Sequence, residues 1–180
     1  MSLPFSDQTL LLSGSIALVW LSRKALGKPK SHGYYRFIAV EFILLLMVLN
    51  RQPTGDQTLA EILLLLSAAL VIFGYGALLR FGNADASRID DSLFAFERTT
   101  TLVTGNIFHY IRHPMYSSLI ALAWGFFFRD PSLLALSLAG LASLFLFLTA
   151  RADERECLVY FGDRYVEYMK RTRRFVPFLF

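Results

Sequence analysis

Five apolar runs, separated by short basic or turn-forming stretches, constrain this chain more than any other feature. They cover roughly residues 9–22, 34–49, 59–79, 115–128 and 132–150. A helix rises about 1.5 Å per residue, so about 20 residues cross a bilayer core. The third and fifth runs are long enough as they stand. The first, second and fourth need flanking residues or shelter from neighbouring protein. A soluble chain of 180 residues would carry more charge than the 18% present here, and mean hydropathy is +0.48. The expected fold is an all-α integral membrane protein with five transmembrane helices in one domain, residues 1–180. Residues 1–80 supply spans one to three, and 81–180 hold the remaining spans and most of the polar residues.

Charge placement predicts orientation. With the connection 23–36 on the cytoplasmic side, that side gathers 16 of the 18 Lys and Arg residues, and only Arg51 and Arg129 lie elsewhere. The positive-inside rule then sets the N-terminus outside and the C-terminus inside. Arg129-Asp130-Pro131 reads as the tight turn of a helical hairpin between spans four and five, Pro131 suiting the first turn of the next helix. The first run has no basic start, and Arg23 and Lys24 follow it, so it is not expected to be a cleaved signal peptide. The single cysteine, Cys157, excludes an internal disulfide and a Cys-based metal site. The net charge of +4 lies between apolar runs and points to membrane orientation rather than nucleic acid.

Two polar stretches, 80–112 and 151–180, face the cytoplasm in this topology. The first ends in "TTTLVTGNIFHYIRHPMY", where Gly105-Asn106 signals a turn and Pro114 suits the first turn of helix four. Arg112 and His113 thus sit at a helix N-terminus, which favours anions. They either grip an anion or mark the membrane boundary; the residues alone leave both open. In the second stretch Arg151, Glu154, Leu158, Phe161 and Tyr165 follow helical spacing on one face, and Arg151 can pair with Glu154 one turn on. Asp153 and Glu156 are expected to point to other sides. This charged cluster is either a solvated collar or a polar lid over a ligand, and Gly162 can bend or break the helix. Residues 171–180 read as an interfacial segment on an anionic leaflet. Glu41 is expected to snorkel or pair with Arg36, and His32 and His109 to be loop residues without metal-ligand spacing. No metal site is expected.

"LVTGNIFHYIRHPMY", followed about 35 residues later by "RADERECLVYFGDRYVEYMKR…FVPF", resembles the isoprenylcysteine carboxyl methyltransferase family. Its wider relatives include phospholipid N-methyltransferases of the membrane. The resemblance spans roughly residues 100–180. It implies S-adenosylmethionine as cofactor, bound by residues 81–180 in a cytoplasm-facing pocket, and a lipophilic or lipid-linked acceptor arriving from the bilayer. Carried over, Thr101, Leu102 and Val103 would lie along the cofactor, as would His113, Pro114, Met115 and Tyr116, with Phe108 and Arg112 nearby. The acidic pair Asp153-Glu154 would close the pocket, Glu154 the stronger candidate, and Arg151 would face the acceptor. Four departures stand out: Phe108 where the family usually has Tyr, Asp153 for the first Glu, Ser118 where relatives often have Gly, and Arg151 closer to the acid pair.

The resemblance implies in-line methyl transfer, in which positioning and desolvation do most of the work. A carboxylate acceptor needs no general base, and Arg151 or Arg112 would orient it. An amine acceptor must first lose a proton, which Glu154 or His113 would take. Tyr116, Phe108 and Tyr165 would contact the sulfonium or the adenine. The expected activity is carboxylate O-methylation of the isoprenylcysteine type. The rivals are phospholipid N-methylation and a non-catalytic membrane protein on the same scaffold. The short chain suggests a bacterial inner membrane.

Overall fold

A computed structural model describes residues 4–50, 52–85 and 97–177. Arg51 and Arg88 of the charge pattern, and residues 178–180 of the interfacial segment, lie outside the described residues. Six helices appear among those described: α1 (Phe5–Leu26), α2 (His32–Leu49), α3 (Gln57–Phe81), α4 (Pro114–Arg129), α5 (Leu133–Phe161) and α6 (Asp163–Arg171). Three start on side-chain caps that satisfy an orphan backbone N–H. Ser31 accepts from Tyr34, Asp56 from Leu59 and Ser132 from Ala135, at 3.0–3.2 Å. Pro131 therefore precedes the cap of α5 rather than entering its first turn.

Helices α1, α2, α3 and α5 are long and apolar enough to cross a membrane. The protein is an integral membrane protein by that measure. Helix α4 has 16 residues, about 24 Å of rise against a core of about 30 Å, and falls short of that length. It is instead sheltered by protein, with Tyr116, Ala121 and Ala123 buried. Helix α3 runs antiparallel along it, Gly74 meeting Pro114 and Met115 at one end and Gly125 meeting Leu64 at the other. A Cβ on Gly125 would lie 3.0 Å from Leu64, so its small size sets this approach.

Helix α2 packs antiparallel to α5 through Ala39, Ile43 and Leu46 against Ala135, Ala139, Ala142, Leu146 and Ala150. These alanines let the backbones close together, the packing that lipid-embedded helices favour. Helix α1 packs mainly on α2, and Leu12, Ile16 and Trp20 stay uncovered, as a lipid-facing surface requires. At one end of the bundle Asn50 donates to the carbonyls of Phe126 and Asp130, and Gln57 to that of Arg129, tying the α4–α5 turn to its neighbours. The polar residues of interest all gather at the other end.

Helix α5 has 29 residues, about 43 Å, and outreaches the bilayer core by roughly two turns. Its last turns carry Asp153, Glu154 and Glu156. It stops at Gly162, whose φ of +57° and ψ of −135° lie where only glycine is comfortable. That reversal folds α6 back so that Tyr165 and Tyr168 are buried. The helical face expected to run unbroken from Arg151 to Tyr165 is therefore interrupted.

Candidate active site

The segment before α4 makes a 3-10 turn at Asn106–His109, reached through Asn106 at φ +54°, a conformation asparagine tolerates. The chain then pairs with the C-terminal strap. Arg112 and His113 donate their backbone N–H groups to the carbonyls of Arg173 and Arg174 at 2.8 and 3.1 Å, and Arg173 donates to Tyr110 at 3.1 Å. His113 is the N-cap residue of α4 and Pro114 its first residue.

Glu154 is the hub of this region, 4% exposed. Arg112 donates to it through Nε at 2.9 Å, and Arg174 through Nε at 3.1 Å and Nη2 at 2.6 Å. His113 Nε2 lies 3.3 Å from the same carboxylate. Arg112 also donates to the Thr172 carbonyl at 2.6 Å. The expected Arg151–Glu154 pair does not form, because Glu154 turns inward to these cations while Arg151 stays exposed. Asp153 and Glu156 do diverge. Asp153 accepts from Tyr116 Oη at 3.0 Å, and Glu156 pairs with the buried His32. His32 thus opens α2 rather than lying in a loop. Arg36 pairs with Glu97 and not with Glu41, which instead accepts from Ser15 at 2.7 Å.

The His113 ring stands between two carboxylates, Nδ1 at 3.5 Å from Asp153 and Nε2 at 3.3 Å from Glu154. A neutral imidazole donates from one nitrogen only, whereas the cation satisfies both acids. Burial opposes that charge, but the two carboxylates outweigh it and raise the pKa above the ordinary histidine value. The stabilisation is therefore complete below the unfolded pKa of about 6.5 and is lost as pH rises through the raised folded value. We expect the gap in unfolding midpoint between wild type and His113→Gln, measured in one detergent, to be widest near pH 6 and to narrow towards pH 9. A gap independent of pH would refute the charged imidazole.

A cavity of about 740 Å³, including solvent at its mouth, opens beside this network. Of the residues expected along a cofactor, Leu102, Val103, Phe108, Arg112, His113, Pro114, Met115, Tyr116 and Asp153 line it. Thr101, Glu154 and Arg151 do not: Thr101 is exposed with its hydroxyl turned to Asn83, Glu154 is behind the wall, and Arg151 is on the outer face. Leu78, Glu97, Thr99, Cys157, Phe161 and Tyr168 complete the lining together with Tyr165. Burial pushes the Tyr165 and Tyr168 hydroxyls well above the usual phenol range, so both stay neutral. Tyr168 donates to the Phe108 carbonyl at 2.7 Å and pins α6 to the loop. Carboxylates beside flat aromatic and aliphatic walls fit a ligand that joins a cation to a heterocycle.

A second cavity lies among the apolar faces of α1 to α4, lined by Leu18, Phe37, Val40, Val71 and Leu119 with Ser22, Arg36 and Ser118. It shares Glu97, Met115 and Tyr116 with the first, so the two spaces meet at that wall.

The model of one protein family, phospholipid methyltransferase, matches residues 57–164. That match takes in α3, the loop, α4, α5 and the start of α6, and so the greater part of both cavities. Neither the curated proteins nor the solved structures yield a match to the chain. Covering well over half of its length, the family match shows that the chain belongs to the phospholipid methyltransferase family of membrane enzymes, which take their methyl group from S-adenosylmethionine.

Proposed function

We propose that the first cavity holds S-adenosylmethionine and the second a lipophilic acceptor, which is methylated on a carboxylate in the manner of the isoprenylcysteine enzymes. The observation that carries this reading is the shared wall: an apolar cavity among the helices meets the polar cavity at Glu97, Met115 and Tyr116. Bound there, S-adenosylmethionine supplies a methyl group on a sulfonium cation. Asp153 and Glu97 give that cation counter-charge. Tyr116 and His113 hold Asp153 in place, at 3.0 and 3.5 Å. Phe108, Phe161 and Tyr165 flank the heterocycle, with Leu102 and Val103 beside it. Arg112 lines the cavity and is held by Glu154 from behind the wall, and Arg151, outside both cavities, takes no part. The basic residues at this end of the bundle orient it to the cytoplasm, with the N-terminus outside.

In the transfer the acceptor's carboxylate oxygen bonds to the methyl carbon, the carbon–sulfur bond breaks and its electron pair stays on sulfur. One negative and one positive charge disappear and no proton moves. Apolar surroundings favour such charge annihilation. A second reading, N-methylation of a phospholipid amine, draws on the matched family and on Glu97, a carboxylate facing both cavities that can take an ammonium proton.

Membranes carrying the protein, incubated with donor labelled in its methyl group, test both readings. Lipid-extractable label that alkali releases is expected, because methyl esters hydrolyse. Alkali-stable label would transfer the assignment to the amine, and no transfer to either would leave a scaffold without this activity.

A further inference from the structure

We infer that Arg36 is the residue that fixes the acceptor, by holding an oxyanion of it at the junction of the two cavities. The inference rests on the methyl-transfer reading of those cavities. Arg36 stands in the second turn of α2, its side chain 11% exposed, and meets Glu97 from the loop 61 positions away, itself 13% exposed. An ion pair at a membrane helix end is costly to desolvate, and such groups are retained where they serve a ligand or a pathway.

The division of charge between the cavities indicates which ligand. Arg36 and Glu97 are the charged residues lining the acceptor cavity, and the rest of it is apolar apart from hydroxyls. Glu97 and Asp153 both face the first cavity, where a sulfonium cation needs them, while Arg36 lines the second cavity and not the first. Asp153 thus faces the donor alone, Arg36 faces the acceptor alone, and Glu97 stands between them and borders both. An ammonium group there would lie beside both a guanidinium and a sulfonium. An oxyanion would meet a guanidinium in a low-dielectric space, where attraction is strong. The guanidinium fork has five N–H donors and binds oxyanions in two-point geometry, so it can share itself between Glu97 and a ligand.

Two lipid sources offer that chemistry. One is the carboxylate of a lipophilic acid, whose own oxygen would be the nucleophile. The other is the phosphate diester of phosphatidylethanolamine, whose amine would then reach the junction. Ser22 and Ser118 add hydroxyls to the same cavity, and Phe37, Val40, Val71 and Leu119 offer the apolar path for a chain.

The test uses the full protein in detergent with S-adenosylhomocysteine bound. An S-prenylated N-acetylcysteine and its methyl ester, identical except for the charge, are titrated against wild type, Arg36→Gln and Arg36→Lys. Wild type is expected to prefer the acid roughly 10- to 100-fold, the range of a charge-assisted hydrogen bond. Arg36→Gln should erase that preference with little change for the ester, and Arg36→Lys should restore part of it. If Arg36→Gln unfolds with Glu97 left unpaired, Arg36→Gln/Glu97→Gln removes both charges and gives the same reading. A preference that survives in the Gln variants overturns the anchor.

Turnover then separates the sources. A rise in KM for the acid, with a smaller change in kcat, assigns the carboxylate. The same rise for phosphatidylethanolamine vesicles assigns the phosphate diester. Unchanged KM for whichever lipid is methylated overturns the anchor but leaves the methyl-transfer reading intact. An Arg36-dependent preference for the acid, with neither lipid methylated, sustains the anchor and removes that reading.

Discussion

Glu154→Gln is expected to cost about 3–5 kcal/mol of stability, the price of stripping one partner from a buried ionic network. The carboxylate is 4% exposed and joins two other parts of the chain to α5. Arg112 and His113 come from the loop before α4, and Arg174 from the strap after α6. Glutamine keeps the shape but removes the charge, leaving two guanidiniums and an imidazolium facing one another. Arg174 retains its position over the Phe147 ring, 5.1 Å from its centroid, but that contact is worth less than the ion pair. At about 2–4 °C per kcal/mol for a chain of this size, the unfolding midpoint should fall by roughly 6–20 °C. A loss within about 1 kcal/mol, the level of an exposed pair, would show that solvent reaches the network and that Glu154 is no hub.

Asp153→Asn should act on binding and far less on folding. Asp153 lines the cavity with its side chain 21% exposed, so its charge borders the space as well as touching buried Tyr116 and His113 at 3.0 and 3.5 Å. Removing a charge that faces a bound cation forfeits roughly 1.5–3 kcal/mol, or about 10- to 100-fold in affinity for S-adenosylmethionine. Calorimetry should find that loss, while S-adenosylhomocysteine, which lacks the sulfonium charge, should weaken less. Equal losses for both ligands would mean that Asp153 shapes the cavity without reading charge. Neighbours in sequence, Asp153 and Glu154 thus have separable tasks because they sit about 100° apart around one helix.

The sequence made the helices legible. The runs at 34–49 and 59–79 fall inside α2 and α3, and the run at 132–150 falls within α5 to one residue. Hydropathy reads transfer free energy, and transfer free energy is what a bilayer imposes. The run at 115–128 matches α4 to one residue at each end, but its length alone left open whether flanking residues extend it or neighbouring helices shelter it, and α3, α5 and α2 do the latter. The motif around Arg112, His113 and Tyr116 named half the wall of the cavity. The tail added Asp153, Phe161, Tyr165 and Tyr168, while Leu78, Glu97, Thr99 and Cys157 carried no signal at their own positions that tied them to the cavity.

Partner choice was legible only in part. Local spacing favoured Arg151 for Glu154, three positions on and within reach on one helix, and nearness in sequence suggested Arg36 for Glu41. Tertiary packing offered better partners: Arg112 and Arg174 for Glu154, Glu97 for Arg36, and Glu156 for His32 across 124 positions. A buried pair in a low dielectric outweighs a solvated pair one turn away, and that difference depends on burial, which spacing does not report.

By itself the sequence determined that the chain must be a bundle of apolar helices with its basic residues at one end, because uncovered backbone and charge are intolerable in hydrocarbon. Only the tertiary structure decided which acid faces the cavity, which one rivets the strap, and that Arg36 rather than Arg151 stands where the two cavities meet. Those outcomes follow from how α2, α5 and the loop converge, and the contacts involved are too far apart in the chain for any local period to encode.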